Sequence, residues 1–125
     1  MNKMNVLMVK PGEHPERVEI ENSLESLQAA VGGYIQAVYP FDDPIALICN
    51  EEGKLYHLPT NRGLRDEHGE IYDIVVGNFL IVGLTGDNFG SLSPELMARY
   101  EGLFYHPEVF LNLNGKIYGI PADLA

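Results

Sequence analysis

Arg17-Val18-Glu19-Ile20-Glu21-Asn22-Ser23-Leu24-Glu25-Ser26-Leu27-Gln28-Ala29-Ala30-Val31-Gly32-Gly33 is the stretch that decides the fold class. Its first five residues alternate strictly, charged on one face and apolar on the other, which is the period of a half-buried strand. At Asn22 the period changes. Asn22 is expected to cap a helix, with Glu25 three residues on reaching back to the N–H of the cap. Leu24, Leu27 and Val31 then fall on one helical side, and Gly32-Gly33 supplies the stop. A helix with one apolar stripe must bury it against another layer, so strand and helix together point to α+β architecture.

Reading outward, residues 4–10 alternate into a first strand that Pro11-Gly12 ends. Tyr34–Tyr39 is expected as a strand halted by Pro40, and Ile45–Cys49 as the next. Asn50-Glu51-Glu52-Gly53 is expected to turn that strand into Lys54–Leu58, and Asp66-Glu67-His68-Gly69 to feed Glu70–Val76. Gly77-Asn78 reads as a tight hairpin into Phe79–Leu84. Gly83 to Leu92 reads as a polar, glycine-rich loop. Ser93 then caps a second helix with Pro94 at its first position, and Leu92 packs on Met97. Leu96, Met97, Tyr100, Leu103 and Phe104 form its buried stripe. A strand pair at about residues 108–120 surrounds Asn114-Gly115. The expected fold is α+β over residues 1–125 as one domain: one mixed or mainly antiparallel sheet of about six to eight strands, with two short helices near 23–32 and 94–104 packed on it.

Composition narrows the function. A chain of 125 residues buries roughly two-thirds of its unfolded surface and needs no metal or disulfide to fold. The single cysteine, Cys49, excludes an internal disulfide and fits a reducing, cytoplasmic setting. The apolar run Val6-Leu7-Met8-Val9 is too short for a signal-peptide core or a membrane span. Eighteen acidic against eight basic side chains give a formal charge of −10, which repels phosphate backbones and anionic lipid. General nucleic-acid and membrane binding are therefore disfavoured. The charge still permits a small anionic ligand in a locally basic pocket, an imitation of nucleic acid, or simple solubility.

A catalytic constellation is not evident. His14, His57, His68 and His106 are scattered without metal-ligand spacing, and no metal or cofactor is expected. Cys49 follows Ile45-Ala46-Leu47-Ile48 and reads as a small buried hydrophobe. Asp42-Asp43, between two prolines, reads first as a loop. The best candidate site is Leu58-Pro59-Thr60-Asn61-Arg62-Gly63-Leu64-Arg65. If this segment makes one helical turn, Arg62 and Arg65 point to similar sides, and two guanidinium forks with the Asn61 amide suit a phosphate or carboxylate. The competing reading pairs both arginines with Asp66, Glu67 or Glu70 at the surface. Three echoing segments, each a glycine followed by a β-favouring run, place Tyr56, Tyr72 and Tyr118 in phase; Tyr56 and Tyr72 join the candidate site. The Gly83–Ser91 loop before a helix start offers backbone N–H groups to an anion, although Asp87 opposes one.

Leu24-Glu25-Ser26-Leu27-Gln28, Val31-Gly32-Gly33-Tyr34-Ile35, Asn50-Glu51-Glu52-Gly53-Lys54-Leu55, Asn61-Arg62 and Gly69-Glu70-Ile71-Tyr72-Asp73-Ile74 occur in that order. The series resembles an uncharacterised family of small bacterial, phage and plasmid-borne proteins, the domain of unknown function numbered 3846. The likeness covers about residues 4–104, and Gly63 stands where the family pattern suggests alanine. The resemblance carries over no catalytic residue. It implies a setting of mobile elements and prophages, where small acidic proteins counter host defence. The expected function is a non-catalytic binding protein that sequesters a small anionic, nucleotide-like ligand through Asn61, Arg62 and Arg65 with Tyr56 and Tyr72 nearby. A homo-oligomer would deepen such a pocket. The alternatives are an acidic protein–protein inhibitor of a host protein and a carboxylate-dependent hydrolase.

Overall fold

The computed structural model of the chain describes residues 2–124. Among them are ten strands and two α-helices: β1 Lys3–Val9, β2 Glu16–Glu21, α1 Leu24–Val31, β3 Ile35–Val38, β4 Ile45–Asn50, β5 Thr60–Arg65, β6 Ile71–Val76, β7 Phe79–Thr85, β8 Asn88–Gly90, α2 Pro94–Leu103, β9 Glu108–Leu113 and β10 Lys116–Pro121. The expected α+β class holds. The strands divide among three sheets: a six-stranded sheet of order β2-β1-β7-β4-β3 with β8 paired to β7, and the two-stranded sheets β5-β6 and β9-β10. Every pairing is antiparallel. Neither helix is long and apolar enough to cross a membrane.

The layering explains the two continuous apolar runs. Ile45-Ala46-Leu47-Ile48 and Phe79-Leu80-Ile81-Val82 are buried residue by residue, because the central sheet is covered on both faces. On one face Ala46, Ile48, Leu80 and Val82 meet Leu27 and Val31 of α1. On the other, Leu47, Phe79 and Ile81 meet Met97, Tyr100 and Phe104, together with Leu64 and Val75 of the β5-β6 sheet. The β9-β10 hairpin lies farther out and packs on β5-β6, with Phe110 close to Gly63. Leu92 and Met97 share the core cluster that the hydrophobic staple requires.

Several local expectations are corrected. Ser23, not Asn22, caps α1: its side chain accepts from the Ser26 N–H at 3.2 Å, while the Asn22 amide is drawn to the Phe89 carbonyl at 2.8 Å. Residues 51–57 form a succession of turns, not a strand, closed by Leu58 N–H to Gly53 O at 3.0 Å. Gly77-Asn78 joins two different sheets, since β6 pairs with β5 and β7 with β1 and β4. Gly83 to Leu92 is largely a hairpin: β7 turns through Gly86-Asp87 into β8, and Gly86 takes the φ of +63° that such a turn demands. Leu103, expected in the buried stripe of α2, is 57% exposed because the helix ends there and packs through Leu96, Met97, Tyr100 and then Phe104.

Candidate functional site

The segment that carries the expected site is strand β5, not a helical turn. A register shift between Thr60 and Arg62 leaves Asn61 without a cross-strand partner. Such a bulge puts two successive side chains on one side of the strand. Asn61 and Arg62 accordingly both turn inward, 0% and 1% exposed. The Asn61 amide nitrogen donates to Val9 O at 3.0 Å and Gly77 O at 2.8 Å. All three guanidinium nitrogens of Arg62 donate: Nε to Phe104 O at 3.0 Å, Nη1 to Asn61 Oδ1 at 2.8 Å, and Nη2 to Glu13 O at 2.6 Å. Burial pushes the Arg62 guanidinium down from its ordinary value, with Glu108 and Asp123 opposing. In this conformation the pair is a tie between distant chain segments. Both side chains are interior, and the Asn61 amide nitrogen and three of the five Arg62 N–H groups already have acceptors within the protein.

Arg65 is placed differently. Its guanidinium is partly exposed and meets Glu108 of β9, with Nη2 2.5 Å from Oε2. Glu108 Oε1 also accepts the Gly63 N–H at 2.9 Å, so this carboxylate clips β9 to β5. Asp66, one of the acids expected to pair with the arginines, instead caps its own turn by accepting from the N–H groups of His68 and Glu70. Beyond Arg65 lies a groove of about 240 Å³ between the β5-β6 turn and β10. Arg65, His68, Glu70, Lys116 and Tyr118 line it. Lys116 reaches Glu70 at 3.3 Å and stands 5.5 Å from the centre of the Tyr118 ring. The Glu70 carboxylate raises the Lys116 ammonium, through a hydrogen bond first and its charge second.

Tyr56 sits in the run of turns and Tyr72 on β6, both exposed, and neither lines the Arg65 groove. Cys49 is half-buried in a separate cleft of about 250 Å³ that also holds Lys54 and Asp73, which pair with each other. Burial, and after it the Asp73 charge, pushes the Cys49 thiol up, against the needs of a nucleophile. Among the described residues, no group of three or more His, Cys, Asp or Glu side chains is placed to hold a metal ion.

Residues 4–105 match the sequence pattern of the domain of unknown function DUF3846. The chain belongs to that family. No curated protein and no solved structure shows a match to it. The match ends before β9, so the groove is built from two sources. Arg65, His68 and Glu70 belong to the DUF3846 match, whereas Lys116 and Tyr118 come from the hairpin beyond it. Sequence reasoning passed over Lys116 and Glu108 because nothing near them in the chain marks a site. The strand pair expected around Asn114-Gly115 and the echo at Gly115-Lys116-Ile117-Tyr118 pointed to the hairpin, but not to a site.

Proposed function

We propose that this chain is a non-catalytic binding protein of phage or mobile-element type that holds a small anionic ligand in the groove between the β5-β6 turn and β10. The observation that carries the reading is the meeting of Arg65, His68 and Lys116 beside the Tyr118 ring, in a protein whose formal charge is −10. Both cations have carboxylate partners, but they differ in how easily an anion replaces them. Glu70 is well exposed, and an exposed pair contributes only about 0–1 kcal/mol, so a phosphate exchanges with it at little cost. Glu108 stays with Arg65 and fixes the fork that a phosphate or carboxylate would share. The tyrosine ring supplies the flat apolar wall that a nucleobase stacks on.

The test is a thermal-shift panel of mononucleotides, cyclic dinucleotides and inorganic phosphate on the purified chain. At least one phosphate-bearing compound raises the melting temperature, and Arg65→Ala and Lys116→Ala each remove that rise. No shift with any of them, or a shift that survives both substitutions, defeats the reading.

The acidic-inhibitor reading keeps one specific support. Glu16, Glu19 and Glu21 are exposed on β2, an edge strand of the central sheet, where a basic partner has open access. The hydrolase reading is supported less: the partly buried carboxylates of Asp43, Glu101 and Glu108 each face an arginine, and among the described residues only that of Asp123 meets histidines, His14 and His106.

A further inference from the structure

The inward face of the β9-β10 hairpin is spent on packing against β5-β6, through Glu108, Phe110 and Gly119. The outward face carries the cross-strand pairs Leu111 with Tyr118 and Val109 with Ile120, and ends at Leu113 opposite Lys116. Val109, Leu111, Leu113, Tyr118 and Ile120 are between 43% and 57% exposed. Together they leave on the order of 450 Å² open in one patch, the size of the largest apolar patch on an ordinary monomer, which is often functional.

We propose that a second copy of this chain docks on that face, hairpin against hairpin about a two-fold axis. Two arguments favour a second copy as the occupant. The first is charge. Residues 108–121 hold one acid and one base, Glu108 and Lys116, so the whole excess of −10 lies elsewhere. Two strongly acidic molecules repel over most of their surfaces, and here they meet without bringing like charges together. A basic partner, by contrast, would find only Glu70, already paired with Lys116, at the rim of this face.

The second argument is area. Two such patches bury roughly 900 Å² of surface, and with their polar rims they enter the range of about 1,200–2,000 Å² typical of a stable interface. An isologous contact also needs a self-complementary patch, which a flat two-stranded face of alternating Leu, Val, Ile and Tyr provides. The inference shares Tyr118 with the anion groove, so a dimer of this kind covers one wall of that groove. It needs neither Arg65 nor a ligand.

Sedimentation equilibrium on the full chain tests it. The expected species has twice the 13.9 kDa of one chain. Leu111→Glu, at the centre of the patch, raises the dissociation constant by about 30-fold or more, the effect of losing an interface hot spot. Leu113→Asp, at the solvent end of β9, does the same and stands in if the Leu111 variant fails to fold. Leu55→Glu, at an equally exposed leucine in the run of turns, leaves assembly unchanged. Added salt tightens the dimer, because it screens repulsion between the acidic copies and leaves an apolar contact intact. A monomer at high concentration overturns the proposal. So does a dimer that survives both hairpin substitutions, or one that loosens with salt. These outcomes are separable from the ligand test, which reads Arg65→Ala and Lys116→Ala by phosphate binding alone.

Discussion

Replacing Arg62 by leucine removes a guanidinium that is 1% exposed and donates to three acceptors on distant parts of the chain. Asn61 Oδ1 and Phe104 O then remain inside the protein without their donor. A buried acceptor stripped of a partner costs about 1–3 kcal/mol, more when the lost donor was charged. Glu13 O sits in an exposed loop and regains water at little cost. The variant also recovers the cost of desolvating a charge, the same burial that pushes the Arg62 guanidinium down. The balance is a loss of about 3–5 kcal/mol. For a domain with about 5–15 kcal/mol of stability this is a large share, equivalent to about 10–20 °C in Tm at this length. Urea unfolding followed by far-UV circular dichroism measures it, with the slope checked for two-state behaviour. Arg62→Lys loses at least half as much, since one ammonium cannot span a three-way fork. Arg65→Ala costs about 1–3 kcal/mol, because the nearly buried Glu108 carboxylate loses its charged partner and keeps only the Gly63 N–H. An Arg62→Leu variant within about 1 kcal/mol of the parent refutes the tie and returns the side chain to the ligand-binding candidates.

Two further perturbations test the fold around this tie. The hydrogen bond from Arg99, and next that from Tyr100, holds the Asp43 carboxyl below its usual range. A depressed carboxylate contributes stability in full above its unfolded value of about 3.9 and loses that contribution as pH falls through the folded value. Acid unfolding should therefore be shallower in Asp43→Asn than in the parent below about pH 4, and parallel curves would contradict the assignment. Gly83→Ala should destabilise severely, because a Cβ there lies 2.2 Å from the Ser91 carbonyl oxygen. Relief requires moving backbone on both β7 and the strand-like segment beside it, so soluble expression with an unchanged Tm would disprove that close approach.

The class of the fold was legible because it depends on local periodicity. The alternation at Arg17–Glu21, the apolar stripe of α1 and the Ser93-Pro94 start of α2 are all signals within one turn or one strand. The partition into three sheets was not legible. Gly77-Asn78 looks like a hairpin turn in isolation, but Gly77 N–H bonds to Pro59 O at 2.7 Å and the chain passes from the outer layer to the central sheet. Likewise, Lys54–Leu58 has the composition of a strand, yet Gly53 lets the chain fold back on itself.

The surroundings of the candidate site were hidden from the sequence for a related reason. Two arginines three apart meet on a helix but diverge on a strand, and here register shifts at Asn61 and between Leu64 and Arg65 set which way each one goes. Nothing within the segment distinguishes a polar pair held for a ligand from one sunk into the core. Only the arrival of Val9, Glu13 and Phe104, between 42 and 52 residues away, makes the difference. The same geometry sets how binding data must be read. Arg62 fixes the end of α2 and the loop after β1 against β5, and Glu108 clips β9 to that same strand. A change at Arg62 therefore reaches the Arg65–Lys116 groove through the backbone alone. Lost ligand binding in an Arg62 variant identifies a support, whereas lost binding at Arg65 or Lys116 with the fold intact identifies a contact.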